Sequence, residues 1–144
     1  MEINNAKYLL DCKDPYGVFS QWLDEARQIK AITEPTAMTL ATSSLQGEAS
    51  LRTVLLKEFS SQQGFVFYTN YKSQKGRELE QNPRAALLFY WGPLFRQINI
   101  KGLVKKVSRQ QSEAYWRTRP RASQLAGWTS RQSEEVPTDQ SLEN

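Results

Sequence analysis

The stretch RTRPRASQ, residues 117–124, places Arg119 directly before Pro120 and Ser123 four residues beyond Arg119. A residue preceding proline is pushed out of the helical region, so Arg119 is expected to emerge at a helix end. Tyr115 lies one helical turn back. A guanidinium with two hydroxyls nearby makes a group suited to holding a phosphate. A second candidate is YTNYKSQKG, residues 68–76, where Ser73 can cap a helix and Lys75 falls in its first turn. Backbone N–H groups at a helix start, joined by a lysine, also favour a phosphate. In LRTVLLK, residues 51–57, Arg52 and Lys57 stand five apart. On a regular strand that spacing puts them on opposite faces, which fits two separate anionic groups or one ligand wrapping an edge.

What the chain lacks narrows the chemistry further. Its 144 residues contain no histidine and a single cysteine, Cys12. Histidine general bases, histidine metal sites and a Cys-His pair are thereby excluded, and no metal site is expected. Nothing beside Cys12 suggests an activated thiol. With no disulfide within the chain, no basic leader and no long apolar run, we expect a cytoplasmic protein without a membrane span.

The 19 basic residues exceed the 15 acidic ones, for a net charge of +4. That excess favours an anionic ligand without choosing between a phosphate ester and a polynucleotide. Residues 96–131 hold nine of the cations against one acid, Glu113. This stretch reads either as a solvated basic face or as an anion site. Its aromatic residues, Tyr115, Trp116 and Trp128, would suit stacking on bases if the partner were a nucleic acid.

The elements that must position these residues follow from periodicity. Phe19, Trp22, Leu23, Ala26 and Ile29 recur at helical spacing, and Asp14 with Pro15 supplies a start, so a helix is expected over 15–31. TAMTLATSS reads as a strand, LQGE as a turn in which Gly47 takes a positive φ, and ASLRTVLLKEF as one return strand. SSQQG turns the chain again into FVFYTN, so residues 36–70 are expected to form an antiparallel meander. SQKGRELEQNP reads as a short helix that Gly76 weakens by about 1 kcal/mol relative to alanine. RAALLFYW and LFRQINIKGLVKKVS are strands separated by a GP turn. SRQQSEAYWRTRP is a Ser-capped helix ending at Pro120, and SQLAGWTS a short helix or turn. The final stretch, 134–144, is acidic and poor in apolar residues, which predicts a flexible tail. The sum is mainly β, with antiparallel strands and flanking helices, in one domain over 1–133.

Four stretches, LRTVLLK, GFVFYTNYKSQKGRELEQNPRAALLFYW, RQINIKG and YWRTRPRASQLAGWTSRQS, together resemble the pyridoxine/pyridoxamine 5'-phosphate oxidases. The resemblance runs from about Phe19 to Ser133. It implies an FMN-binding split β-barrel working as a homodimer, with FMN in the cleft between subunits. The implied reaction oxidises pyridoxine or pyridoxamine 5'-phosphate to pyridoxal 5'-phosphate with O2 as acceptor, in vitamin B6 metabolism. No nucleic acid or membrane partner is implied.

By the same resemblance, Arg52, Thr53, Val54, Leu55, Leu56 and Lys57 match the flavin-binding segment, with Arg52 near the FMN phosphate and Lys57 shared with the substrate. Tyr68, Thr69 and Gln97 match flavin contacts, and Lys75 an FMN phosphate ligand. Gln132 and Ser133 match contacts made across the dimer interface. Tyr115, Arg119 and Ser123 match the substrate phosphate clamp. No catalytic side chain is implied, because the flavin carries the redox step. Gln74 matches a cofactor position where the family often has a second cation, which implies weaker FMN binding. The family's C-terminal segment, with a Trp against the flavin and an Arg-x-His-x-Arg stretch, has no counterpart in these 144 residues. An alternative expectation is therefore an FMN- or pyridoxal-phosphate-binding split barrel with weak turnover.

Overall fold

The computed structural model describes residues 13–129, with side chains through residue 125. Cys12, Gln132, Ser133 and the 134–144 stretch lie outside the described residues. Helix α1, Pro15–Gln28, starts where the sequence places it: Asp14 accepts a hydrogen bond from the Tyr16 amide at 3.0 Å, and Pro15 takes the first turn. It is three residues shorter than expected, ending before Ile29, whose φ of −86° and ψ of 108° are extended.

Strands β1, Ala37–Ser43, and β2, Ala49–Leu55, are joined by a turn in which Gly47 has φ 86°. Gly47 is free of the steric cost that any other residue would meet there. Strand β5, Arg84–Trp91, and β6, Arg96–Leu103, complete a four-stranded sheet in the order β2-β1-β5-β6. Between them the chain makes a 3-10 turn, Gly92–Leu94, and Phe95 sits at φ 51° with 97% of its surface exposed. The expected class, mainly antiparallel strands with flanking helices, is the one observed.

The expected meander over 36–70 is not continuous. β3, Glu58–Ser60, and β4, Gly64–Val66, form their own two-stranded antiparallel sheet, with Phe59 opposite Phe65. The break falls inside the stretch read as one strand. The Leu56 amide donates to Thr36 O at 2.9 Å, while the next amide, Lys57, donates to Val66 O at 2.9 Å. The chain thus changes hydrogen-bonding partner between two adjacent residues. Residues 67–70, expected to extend the third strand, are irregular.

Among the described residues the chain divides into two compact units. The first comprises residues 13–40, 52–67 and 87–100. Its centre is aromatic. The Phe19 ring lies edge-on to Phe59, Phe65 and Phe89 at centroid distances of 4.8, 4.9 and 5.0 Å. Such pairs add about 0.5–1.5 kcal/mol each beyond area burial. Leu23, Ala26, Met38 and Leu40 are buried in the same unit, and Trp91 donates from Nε1 to Pro35 O at 3.0 Å.

The second unit comprises residues 41–51, 68–86 and 101–129. It holds helix α2, Gln74–Gln81, capped by Ser73; α3, Arg109–Thr118, capped by Ser108; and α4, Arg121–Thr129. The stretch read as a short helix or turn is thus helical for nine residues and begins directly after Pro120.

Candidate phosphate and flavin site

Helix α2 begins where the sequence expected an anion site. Ser73 is fully buried; its Oγ accepts from the Gly76 amide at 3.4 Å and donates to Asn70 O at 2.6 Å. These bonds fix the 70–73 turn against the helix start. Gly76 is where the turn and helix meet: a Cβ built there would lie 2.3 Å from the Tyr71 carbonyl oxygen. By helix propensity alone, Gly76 only weakens α2. The structure shows that no larger residue fits without moving backbone.

Lys75, in the first turn of α2, is only 8% exposed. Lysine is rarely buried to this degree without a charged or polar counterpart. Six residues before it in the chain, the Thr69 hydroxyl is buried and has no hydrogen-bond partner among the described residues. Such a group is costly in a folded protein unless a ligand or an ordered water satisfies it. A buried cation, a capped helix start and an unsatisfied hydroxyl, all in unit two, fit the phosphate and polar edge of a flavin nucleotide.

Two further expected contacts meet in this unit. The rings of Tyr68 and Tyr115 are stacked at 3.8 Å between centroids, 4° from parallel. Tyr115 is carried by α3, and Arg119 stands as its C-cap with φ −72° and ψ 141°, out of the helical region as Pro120 requires. The Arg119 guanidinium lies over the Trp116 ring at 5.2 Å. Sequence reasoning missed what holds this corner. Gln124 donates from Nε2 to Trp116 O at 3.1 Å and to Arg119 O at 2.9 Å. The last carbonyls of a helix stopped by proline need donors, and a nearby amide is the signal that could have found Gln124. Ser123, half-buried, is its chain neighbour on α4.

Gln74 is arranged differently from the expectation. Its Nε2 donates to Glu78 Oε1 at 2.8 Å and to Ser50 Oγ at 3.1 Å. Ser50 Oγ in turn donates to Glu78 Oε1 at 3.0 Å, and Thr42 Oγ1 donates to Glu78 Oε2. Glu78 is 8% exposed. Neither Glu78 nor its hydroxyl partners stood out in the sequence, where a glutamate in ELEQ reads as surface charge.

The first unit carries the remaining expected contacts. Arg52, half-buried on β2, donates from Nη1 to Leu40 O at 3.3 Å. Alternation along β2 turns Thr53 and Leu55 outward and Val54 inward, and Leu56 is also buried. The Val54 and Leu56 side chains pack in the core of this unit. Lys57 is exposed just past the strand end, so the opposite-face rule for a continuous strand does not govern it. Gln97 is exposed on β6. Its neighbour Arg96 pairs with Glu25 at 2.6 Å and lies over the Trp22 ring at 4.7 Å. The guanidinium holds the Glu25 carboxyl below the usual carboxylate range, against a smaller opposing effect of burial.

Residues 24–143 match the family described as pyridoxamine 5'-phosphate oxidase. The chain belongs to that family. Among curated relatives, a pyridoxine/pyridoxamine 5'-phosphate oxidase of Rubrobacter xylanophilus is 52% identical over 90% of this chain and 59% of its own length. One of Bordetella petrii is 52% identical over 85% of this chain and 57% of its own. The chain thus spans under two thirds of the length of these relatives. Of solved structures, PhzG from Burkholderia lata, crystallised with tetrahydrophenazine-1-carboxylic acid, superposes with a TM-score of 0.85 at 27% identity. It covers 96% of this chain and 67% of that one. A pyridoxamine 5'-phosphate oxidase-related, FMN-binding protein from Nostoc punctiforme gives 0.67 at 21% identity, covering 85% of this chain and 68% of that one, and shows the shared fold. The fold is the split barrel of this family.

Proposed function

We propose that this chain forms the FMN-binding part of an oxidase that converts pyridoxine or pyridoxamine 5'-phosphate to pyridoxal 5'-phosphate. Lys75 carries the reading: a buried lysine in the first turn of a capped helix, with the unsatisfied Thr69 hydroxyl six residues before it in the chain. Lys75 and the α2 amides hold the FMN phosphate, with Arg52 as a further cation on β2. Tyr68, Thr69 and Gln97 contact the flavin, and Thr53, Leu55 and the backbone of Val54 and Leu56 line its segment. Lys57, Tyr115, Arg119 and Ser123 hold the substrate phosphate. When bound, FMN supplies the acceptor for a hydride equivalent from the carbon bearing the alcohol or amine, with dioxygen as final acceptor and hydrogen peroxide as product. The chain's residues orient two phosphates and supply positive charge.

The working form is a homodimer in the cytoplasm. Leu55 on β2 and Tyr90 on β5 are 36% and 70% exposed, which supports a partner for the first unit. Gln132 and Ser133 complete the flavin site from the second subunit.

The test is direct. FMN is added to purified protein, excess is removed by gel filtration, and the absorption of the protein peak is recorded. A flavin spectrum near one FMN per chain on a dimer-sized peak is expected, and Lys75→Met should lower FMN affinity about 10- to 100-fold, as loss of a charged hydrogen bond implies. A colourless peak rejects the reading. Pyridoxal 5'-phosphate and peroxide formation then measures turnover; binding without turnover would assign this chain the cofactor-binding role alone.

A further inference from the structure

The arrangement around Glu78 gives Gln74 a role other than ligand. An amide nitrogen carries two hydrogens. Both are engaged inside the protein, one on Glu78 Oε1 at 2.8 Å and one on Ser50 Oγ at 3.1 Å. The orientation of the amide is fixed chemically, because an ionised carboxylate only accepts. What remains on Gln74 is its carbonyl oxygen, which a phosphate oxygen repels. The Gln74 side chain therefore has nothing to offer an anion at the start of α2.

Glu78 collects donors from three elements: Thr42 on β1, Ser50 on β2 and Gln74 in the first turn of α2. A buried carboxylate is stable only with such partners, and its geometry is then tightly specified. Gln74 is also the residue between the Ser73 cap and Lys75. Through it, the carboxylate grips the helical turn that presents Lys75.

We infer that Glu78, with Ser50 and Gln74, positions the phosphate-binding turn, and that Gln74 serves the carboxylate rather than the phosphate. The inference rests on the FMN reading above. Its consequence is selectivity. Disturbing the network should weaken binding of the phosphorylated flavin while leaving the binding of riboflavin, which has no phosphate, unchanged.

The experiment titrates the 144-residue chain, freed of flavin, with FMN and with riboflavin, following quenching of flavin fluorescence. Wild type, Gln74→Ala, Ser50→Ala, the double variant and Glu78→Gln are compared, with thermal midpoints recorded beside them. Each single variant is expected to lower FMN affinity about tenfold and leave riboflavin affinity within twofold. The double variant should lose no more than the worse single, because both act on one carboxylate. Ser50→Ala and Gln74→Ala keep the test sharp if Glu78→Gln does not fold. An unaltered FMN affinity in Ser50→Ala, or losses in the double variant that multiply, overturns the network role. Equal losses for FMN and riboflavin mean that the network only supports the fold, and also overturn it. A wild type that fails to bind FMN rejects the FMN reading itself, and the positioning role with it.

Discussion

Phe19, Leu23, Ala26, Met38, Leu40, Val54, Leu56, Val66, Leu87, Phe89 and Trp91, the buried apolar side chains among the described residues, all fall in the first unit; Thr42, Ser73, Lys75 and Glu78, the buried polar ones, all fall in the second. The contrast divides labour. The first unit draws stability from non-directional burial, which scales with area and tolerates small shifts. In the second, burial is specified by hydrogen-bond geometry, where an unmet partner costs the whole desolvation of its group. A ligand site needs the second kind of interior, because it must hold charge at a fixed place. It can do so because stability is supplied elsewhere.

The largest expected effect is in the aromatic cluster. Phe19 is 3% exposed and meets three phenylalanine rings, so Phe19→Ala should cost about 3–5 kcal/mol in urea unfolding. If it instead altered the preference for FMN over riboflavin and left stability intact, the division between the units would be broken.

Gly76→Ala comes next. The added methyl would sit 2.3 Å from Tyr71 O, a backbone atom, so the turn must move. Thermal unfolding should show a loss of about 1–3 kcal/mol, the range for overpacking. Helix propensity alone predicts a gain of about 1 kcal/mol. The sign of the change therefore sharpens the comparison, since only directional packing in the second unit produces a loss.

The smallest effect is electrostatic and belongs to the first unit. The folded-state pKa of Glu25 lies below its ordinary value of 4.5, because the Arg96 guanidinium bonds the carboxylate. Its pairing with Arg96 thus contributes stability above about pH 4.5 that is lost as pH falls through the lower, folded value. The Glu25 side chain is 40% exposed, so screening keeps the contribution below about 1 kcal/mol. Glu25→Gln should lower stability slightly at pH 7 and flatten its decline below pH 4.5, as read by urea midpoints across pH.

Local signals carried much of the fold. Asp14, Ser73 and Ser108 each cap the helix that the sequence assigned to them, and Gly47 takes the positive φ its turn demands. These features depend on neighbours in the chain. The break at Leu56 and Lys57 was not legible, because an unbroken apolar run gives no sign that consecutive amides bond to Thr36 and Val66. Among the candidate site residues, those with obvious chemistry, Lys75, Tyr115 and Arg119, stood out by spacing and by resemblance. Glu78 and Gln124 did not. Their importance lies in which carbonyls and hydroxyls folding brings to them, and the bonds of Gln74 to Glu78 and Ser50 were hidden for the same reason.

Trp91 gives the first unit an optical signature of its own. Its indole is 2% exposed, with Phe89 5.7 Å away, and its N–H is fixed on Pro35 O. An indole so enclosed emits at shorter wavelength than one in water and cannot relax its surroundings quickly. Among the described residues the other tryptophans, Trp116 and Trp22, are only half-buried, so of these three Trp91 contributes most to emission on the blue edge of the spectrum. Unfolding of the flavin-free protein followed at that edge would time the opening of the apolar interior.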